Sequence, residues 1–206
     1  MEDGRRGVSE CIHWRRSVRE FQTRPIEESI IHEILEAARW APSSNNSQPW
    51  HFVVVRDPSR ISLVAQAVPL GPKRINAWIA KAPVVIAACG RPRLFSHRLG
   101  RLIDKDYHRM DVAISVGHLV LAATGKGVGS CIVGWIHRGK IGHILGIPKG
   151  MDVVLLVALG YPADGKDGTV GIGGIPPRPR RSLHDIVSWE QYTWGQGMDI
   201  GRSGVD

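Results

Sequence analysis

Ala41-Pro42-Ser43-Ser44-Asn45-Asn46-Ser47-Gln48-Pro49-Trp50-His51-Phe52 is the stretch on which the reading of this chain turns. Residues 42–49 read as a polar loop between an amphipathic helix and an apolar strand. Hydroxyl and amide side chains fill it, and each can donate and accept hydrogen bonds. A proline near either end restricts the backbone there. The product is a stiffened array of uncharged hydrogen-bonding groups, suited to a polar heterocycle or a sugar-like chain. The plainer reading of the same residues is a capped connector, with Ser and Asn chosen for turn geometry.

Upstream of that loop, Ile30, Ile31, Ile34, Leu35, Ala38 and Ala41 recur at helical spacing, which predicts a helix over 25–41. Glu27 and Glu28 favour its dipole from the first turn, and Pro42 ends it. Downstream, 51–55 reads as a strand closed by Asp57-Pro58, 59–67 and 76–81 as short helical pieces, and 82–88 as an apolar strand. Residues 111–124 form a long helix with apolar residues on nearly every side, so it is expected to be buried. Gly125, Gly127 and Gly129 end it in a turn. A strand over 131–136 and a short helix over 139–145 follow. The continuous apolar run 153–159 is expected at the centre of a sheet. Residues 160–177 read as loop, 182–189 as a short terminal helix or arm, and 195–206 as a polar, Gly-rich tail that frays.

Strands and helices mix without regular βαβ alternation. That pattern gives an α+β class, a mixed sheet packed by helices. With 206 residues, a single domain over 1–206 is expected. A hydrophobic fraction of 43% furnishes a core, and 22% charged residues is ordinary for a soluble chain. Seven tryptophans against three phenylalanines is unusual, and places some indole rings at interfaces or at a ligand site.

The net charge of +8 is partly local. Arg91, Arg93, Arg98, Arg101, Lys105 and Arg109 crowd one segment, and Arg178, Arg180 and Arg181 crowd another. A solvated face and long-range steering of anionic ligands are both open readings. No nucleic-acid-binding module accompanies the charge, so no nucleic-acid partner is expected. Cys11, Cys89 and Cys131 form no disulfide framework, and the last two read as buried fillers. The charged residues 1–10 lack an apolar signal region, and no run of about 18 apolar residues could span a bilayer. The expectation is a cytoplasmic protein with no membrane partner. The histidines show no metal-ligand spacing, Gly125-Lys126-Gly127-Val128-Gly129 is not a phosphate loop in register, and no nucleophile elbow occurs.

A second array lies at Arg15-Arg16-Ser17-Val18-Arg19-Glu20-Phe21. The spacing of Arg15, Ser17 and Arg19 cannot put all three on one face of a regular helix, whereas a bent segment or a helix end would let them converge. Guanidinium groups fork onto phosphate oxygens and stay charged at every working pH. Alone, this cluster reads as a basic surface.

Taken together, Arg-x-Ser-x-Arg and, about 25 residues on, Ala-Pro-Ser-Ser-x-Asn-x-Gln-Pro-Trp resemble the FMN-dependent nitroreductase family. The likeness extends to residues 111–135, to Leu159-Gly160-Tyr161-Pro162 and to Arg180-Arg181-Ser182-Leu183. It implies a three-layer sandwich of helices around a mixed, mainly antiparallel sheet, in an interlocked homodimer. By resemblance, Arg15 and Ser17 hold the ribityl-phosphate side of FMN, with Arg16 a lesser contact or a solvated side chain. Arg19 reaches the N1/O2 edge of the flavin, where a cation stabilises charge arriving with a hydride. Pro42, Ser43, Ser44, Asn46 and Gln48 contact FMN, with Ser43 and Ser44 supplied across the dimer interface. The backbone of Val133 and Gly134 lies beside flavin N5, and a glycine permits that close approach. Arg180 and Arg181 close over the phosphate, and Asn76 is a weaker match at the flavin edge.

The resemblance further implies ping-pong turnover, with NAD(P)H as hydride donor and a nitroaromatic, a quinone or a related small molecule as acceptor. No side-chain nucleophile is needed, because the flavin carries the redox chemistry. Val133 stands where many family members have an acidic residue, so the acceptor preference is open. A flavin reductase, a reductive dehalogenase-like enzyme and a flavin- or nucleic-acid-binding module without turnover are the alternatives. Trp14, Trp40, Trp189 and Trp194 fit dimer contacts as well as they fit ordinary core packing.

Overall fold

The computed structural model describes residues 7–68, 77–92, 106–163 and 179–192, and these described residues form five helices and four strands. They are α1 (Val8–Trp14), α2 (Glu28–Arg39), β1 (Trp50–Val55), α3 (Pro58–Gln66), β2 (Val84–Gly90), α4 (Tyr107–Gly125), β3 (Gly129–Val133), α5 (Arg138–Ile144) and β4 (Asp152–Gly160). Short 3-10 turns stand at Ser44–Asn46, Ala77–Lys81 and Leu183–Asp185.

The sheet order is β1-β2-β4-β3, and every neighbouring pair is antiparallel. Among the described residues, parallel pairing enters as an isolated bridge between Ser17 and Ser130. The apolar run 153–159 therefore sits in a central strand, as its composition requires. Val84, Ile86 and Ala88 turn to one side with Val154, Val157 and Leu159, against Ile31, Ile34 and Ala38 of α2 and Val112, Val116 and Leu119 of α4. Val85, Ala87 and Cys89 turn to the other with Val153, Leu156 and Ala158, against Ile61 and Val64 of α3, Ile79, and Ile141 of α5. Strict alternation on β2 is the period-two signature of a sheet with helices on both faces. On β4 the alternation slips between Val154 and Leu156, where the β2–β4 register shifts at Ala88/Cys89. The result is three layers around an α+β sheet.

Local chemistry sets the element ends. Asp57 caps α3, its carboxylate accepting from the Arg60 N–H at 2.8 Å, with Pro58 in the first turn. Helix α4 stops in a Schellman turn. Gly127 (φ +70°) donates to Thr124 O, and Val128 donates to Ala123 O.

Three expectations need correction. The strand over 131–136 ends at Val133, because the sheet pairing of β3 stops there opposite Leu156. Helix α4 is not covered all round: among the described residues Met110 and Ile114 are 50% and 44% exposed. Trp14, Trp40 and Trp189 are 52%, 72% and 84% exposed, which removes the core-packing reading for those three rings. Trp194 and Asn76 lie outside the described residues, as do Arg178 and most of the basic segment 91–109. Among the described residues no helix is long and apolar enough to cross a membrane.

Asp152 opens β4 beneath the start of α4. Its Oδ2 accepts from Arg109 Nη2 at 2.8 Å and lies 3.2 Å from His108 Nε2. Burial pushes the Asp152 pKa up, but hydrogen bonds and charge from Arg109 and His108 outweigh it, and the carboxyl ends below its ordinary value. A carboxyl depressed in the folded state stabilises above its unfolded pKa of about 4, and that contribution is lost as pH falls through the folded value. Asp152→Asn should lower the melting temperature at pH 7 by about 2–4 °C, with a smaller gap from wild type at pH 3. Melts at the two pH values measure it, and an equal gap at both would contradict the assignment.

Candidate functional site

Helix α1 ends at Trp14, and the chain leaves it extended. The Arg15 N–H still donates to Cys11 O, and three residues later the Val18 N–H donates to Ser130 O at 2.9 Å. Residues 15–19 thus run alongside β3 as a short extended strip. An extended backbone alternates its side chains, so Arg15, Ser17 and Arg19 share one side. Val18 takes the other and is buried. It packs so closely on Gly129 that a Cβ there would lie 2.8 Å from the Val18 side chain. The spacing that defeats a helix is the spacing that converges in a strand.

The cationic groups do converge. Burial, then the like charges of Arg180 and Arg16, push the Arg15 pKa down. Arg15 makes no ion pair with any described carboxylate. Arg16 donates through one terminal nitrogen to the carbonyls of His13 and Arg15, while its Nε is buried without a partner. The solvated reading of Arg16 is therefore wrong for that atom. Arg15 and Arg16 of the strip and Arg180 of the later segment thus act on one another as like charges, and the Arg16 Nε has no partner among the described residues.

Arg19 lies beside an aromatic ring. Its guanidinium is 5.9 Å from the Trp78 ring centroid. Burial raises the Cys131 pKa against the influence of nearby Arg19, Ser17 and Arg15, and the neutral thiol donates to the Ile132 carbonyl at 3.8 Å. Cys89 is pushed up to about 11 by burial alone. Phe21 meets Trp78 at 6.3 Å between ring centroids, and the Trp78 Nε1 is a second buried donor without a partner.

The Ser/Asn loop has its own scaffold. Asn45, Asn46 and Gln48 all have positive φ (50°, 50° and 44°). Asparagine tolerates this region and glutamine less so, at a cost of roughly 1–3 kcal/mol each. Ser43 Oγ accepts from the Gln48 N–H at 2.9 Å, and Gln48 Nε2 donates to Asn46 Oδ1 at 3.1 Å. The Asp111 carboxylate accepts from the Ser44 N–H at 3.1 Å and from the Ser47 hydroxyl at 3.2 Å. Pro42, Asn46 and Gln48 are exposed, and Ser43 and Ser44 half-buried.

Loop and arginines stand at opposite corners of the sheet. The loop leads into Trp50, which pairs with Gly90 level with Asp152, on the β1 edge. The arginine strip runs beside Ser130, level with Leu159, on the β3 edge. Four strand spacings across, from β1 to the strip beside β3, and seven residues along β4 separate them by roughly 30 Å. Val133 and Gly134 lie on the arginine side, at the end of β3, with the Val133 side chain buried and Gly134 exposed. Arg180 joins Arg15, whereas Arg181 donates to Asp185 O of its own turn. An open groove of about 990 Å³ lies at the other edge, between Leu35, Glu36 and Trp40 on one side and Trp50 and Phe52 on the other.

This layout matches a known family. The Nitroreductase family model aligns with residues 12–161, most of the chain. The chain belongs to the nitroreductase family. An Archaeoglobus fulgidus relative, whose name couples NADH dehydrogenase with NAD(P)H nitroreductase, is 35% identical over 167 residues, covering 78% of this chain and 90% of its own. A 5,6-dimethylbenzimidazole synthase of Rhodospirillum rubrum is 31% identical, covering 78% and 84%. The crystal structure of a nitroreductase family protein from Clostridium novyi NT superposes with a TM-score of 0.71 at 29% identity, covering 78% of this chain and 87% of that one. The nitroreductase fold thus accounts for the three layers, and the family hosts more than one reaction.

Sequence reasoning missed Trp78 and Asp111 in this member of the family. Trp78 had no local signal. Asp111 had one: with Ser115 it forms a polar i, i+4 pair on the mostly apolar helix α4.

Proposed function

We propose that this chain is an FMN-dependent oxidoreductase that takes electrons from NAD(P)H and delivers them to a nitroaromatic, a quinone or a related small acceptor. The observation that carries the proposal is the anion site: Arg15, Arg16 and Arg180 lie together, and the Arg16 Nε is buried and unpaired. That donor set suits a phosphate monoester. Arg15, Arg16, Ser17 and Arg180 would hold the FMN phosphate and ribityl chain, with Arg181 at the rim. When bound, FMN supplies the hydride chemistry that no side chain here supplies.

The protein's part is placement and charge. Arg19, beside the Trp78 ring, keeps a cation where negative charge gathers on the cofactor. The Val133 and Gly134 backbone, at the end of β3, would face the reducible ring. Pro42, Ser43, Ser44, Asn46 and Gln48 supply neutral donors and acceptors to the cofactor from a second copy of the chain. The separation of about 30 Å between loop and arginines within one protomer favours that arrangement. So do the surfaces left open: the Met110–Ile114 face of α4, the groove at Trp40 and Trp50, and the apolar arm with Leu183, Ile186, Trp189 and Tyr192 exposed. A homodimer would cover them. NAD(P)H and acceptor would use one site in turn, as ping-pong kinetics require.

Purified protein reconstituted with FMN tests the proposal. The expected result is a stoichiometric yellow complex, bleached anaerobically by NADH or NADPH and restored by a nitroaromatic or quinone. Protein that takes up no FMN would refute the cofactor assignment. A complex that stays oxidised under NADH and NADPH would instead mark a flavin-binding module without turnover.

A further inference from the structure

Four polar side chains on α4 are buried: His108, Asp111, Ser115 and Thr124. His108 meets Asp152, and Thr124 donates back to Val120 O in its own helix. The other two, one turn apart, face the segment that carries the Ser/Asn loop. Ser115 Oγ donates to Ala38 O at 2.7 Å and ties the end of α2 to α4. Asp111 forks, Oδ1 accepting from the Ser44 N–H and Oδ2 from the Ser47 hydroxyl. Those two donors bracket Asn45 and Asn46, the consecutive residues with positive φ. The other side-chain hydrogen bonds of the loop, Ser43 to Gln48 and Gln48 to Asn46, stay within it. Asp111 is thus the hydrogen-bonded tie between the left-handed turn and the rigid core.

We propose that Asp111 is the positioning residue of this loop: its buried carboxylate fixes the turn at Asn45-Asn46 and so aims Ser43, Ser44, Asn46 and Gln48 outward before any ligand arrives. The functional consequence rests on the FMN reading above. A loop set in advance loses little freedom on binding, whereas an untied loop must be ordered by the cofactor at the expense of affinity. Asp111 touches no reacting atom and acts through Ser44 and Ser47. An asparagine at this position would keep the geometry, since its oxygen accepts from the Ser44 N–H and its amide donates to the Ser47 oxygen.

The test compares Asp111→Ala, Asp111→Asn, Ser47→Ala and the Ser47→Ala/Asp111→Ala pair in two measurements. In apoprotein, amide exchange at Ser44 should quicken at least tenfold in Asp111→Ala, with Leu119 and Val120 in α4 unchanged. In FMN titrations, Asp111→Ala should weaken binding by about 100-fold, the scale of losing two hydrogen bonds to a charged group. Asp111→Asn should recover most of that loss, and Ser47→Ala should add little once Asp111 is gone. Wild-type exchange at Ser44 in Asp111→Ala, or losses that multiply in the double variant, would overturn the inference. Should Asp111→Ala not fold, Ser47→Ala decides: it must weaken FMN and quicken exchange at Asn45 and Asn46, and wild-type behaviour there overturns the inference. Wild-type protein that binds no FMN would remove the cofactor reading while the exchange rates still decide the role of Asp111.

Discussion

Arg15→Ala is expected to purify without flavin, with an FMN affinity at least about 100-fold below wild type. Arg15 stands among Arg16 and Arg180, and burial and their like charges both disfavour its charged form. A cation kept charged at that cost is there for an anion. Removing one partner of a buried charged contact costs several kcal/mol, because the other charge is left uncompensated. The apoprotein should respond with the opposite sign. Without the phosphate, losing Arg15 relieves repulsion, so the variant apoprotein should melt at or above the wild-type temperature. Flavin content and paired melts with and without FMN measure both. A variant that keeps its flavin, or that is destabilised equally in both states, would contradict the anion site.

Arg19→Gln should shift the cofactor and not strip it. The guanidinium lies 5.9 Å from the Trp78 ring centroid, a contact that the protein itself supplies. A unit charge near the reducible ring is worth about 2–3 kcal/mol at the effective dielectric of a partly exposed site. For a two-electron couple that corresponds to roughly 50 mV. The midpoint potential of bound FMN in Arg19→Gln should fall by about that amount, while FMN affinity falls less than in Arg15→Ala. Potentiometry with reference dyes reads it, and an unchanged potential would take Arg19 off the redox edge.

Patterns that are local in the chain carried most of the fold. The apolar run at 153–159 needs two covered faces and becomes a central strand, and the period of Ile30, Ile34 and Ala38 fixes the buried face of α2. Residues 15–19 were harder, because their period of two belongs to a strip tied to β3 by one bridge, and that partner lies over a hundred residues away. The exposed flank of α4 was illegible for another reason. An apolar helix looks the same whether its own protomer or a second copy covers it. The arginine cluster was legible as residue types, since the charge and forked donors of arginine are properties of the residue itself. The roles of Asp111 and Trp78 depend on contacts across 67 and 59 positions, from Asp111 to Ser44 and from Trp78 to Arg19, which no short motif encodes. Arg181 shows the converse: adjacent to Arg180 in sequence, it is drawn into its own turn by the Asp185 carbonyl.

The central claim is that one FMN closes the arginine strip of one protomer onto the Ser/Asn loop of another. Mixed dimers test it most directly. An Arg15→Ala protomer lacks the strip and keeps the loop, and a Ser44→Leu/Asn46→Leu protomer lacks the loop and keeps the strip. Each homodimer should bind no FMN, and the tagged, purified mixed dimer should bind one FMN per dimer at near wild-type affinity. A mixed dimer as empty as its parents would place strip and loop in different sites and contradict the account.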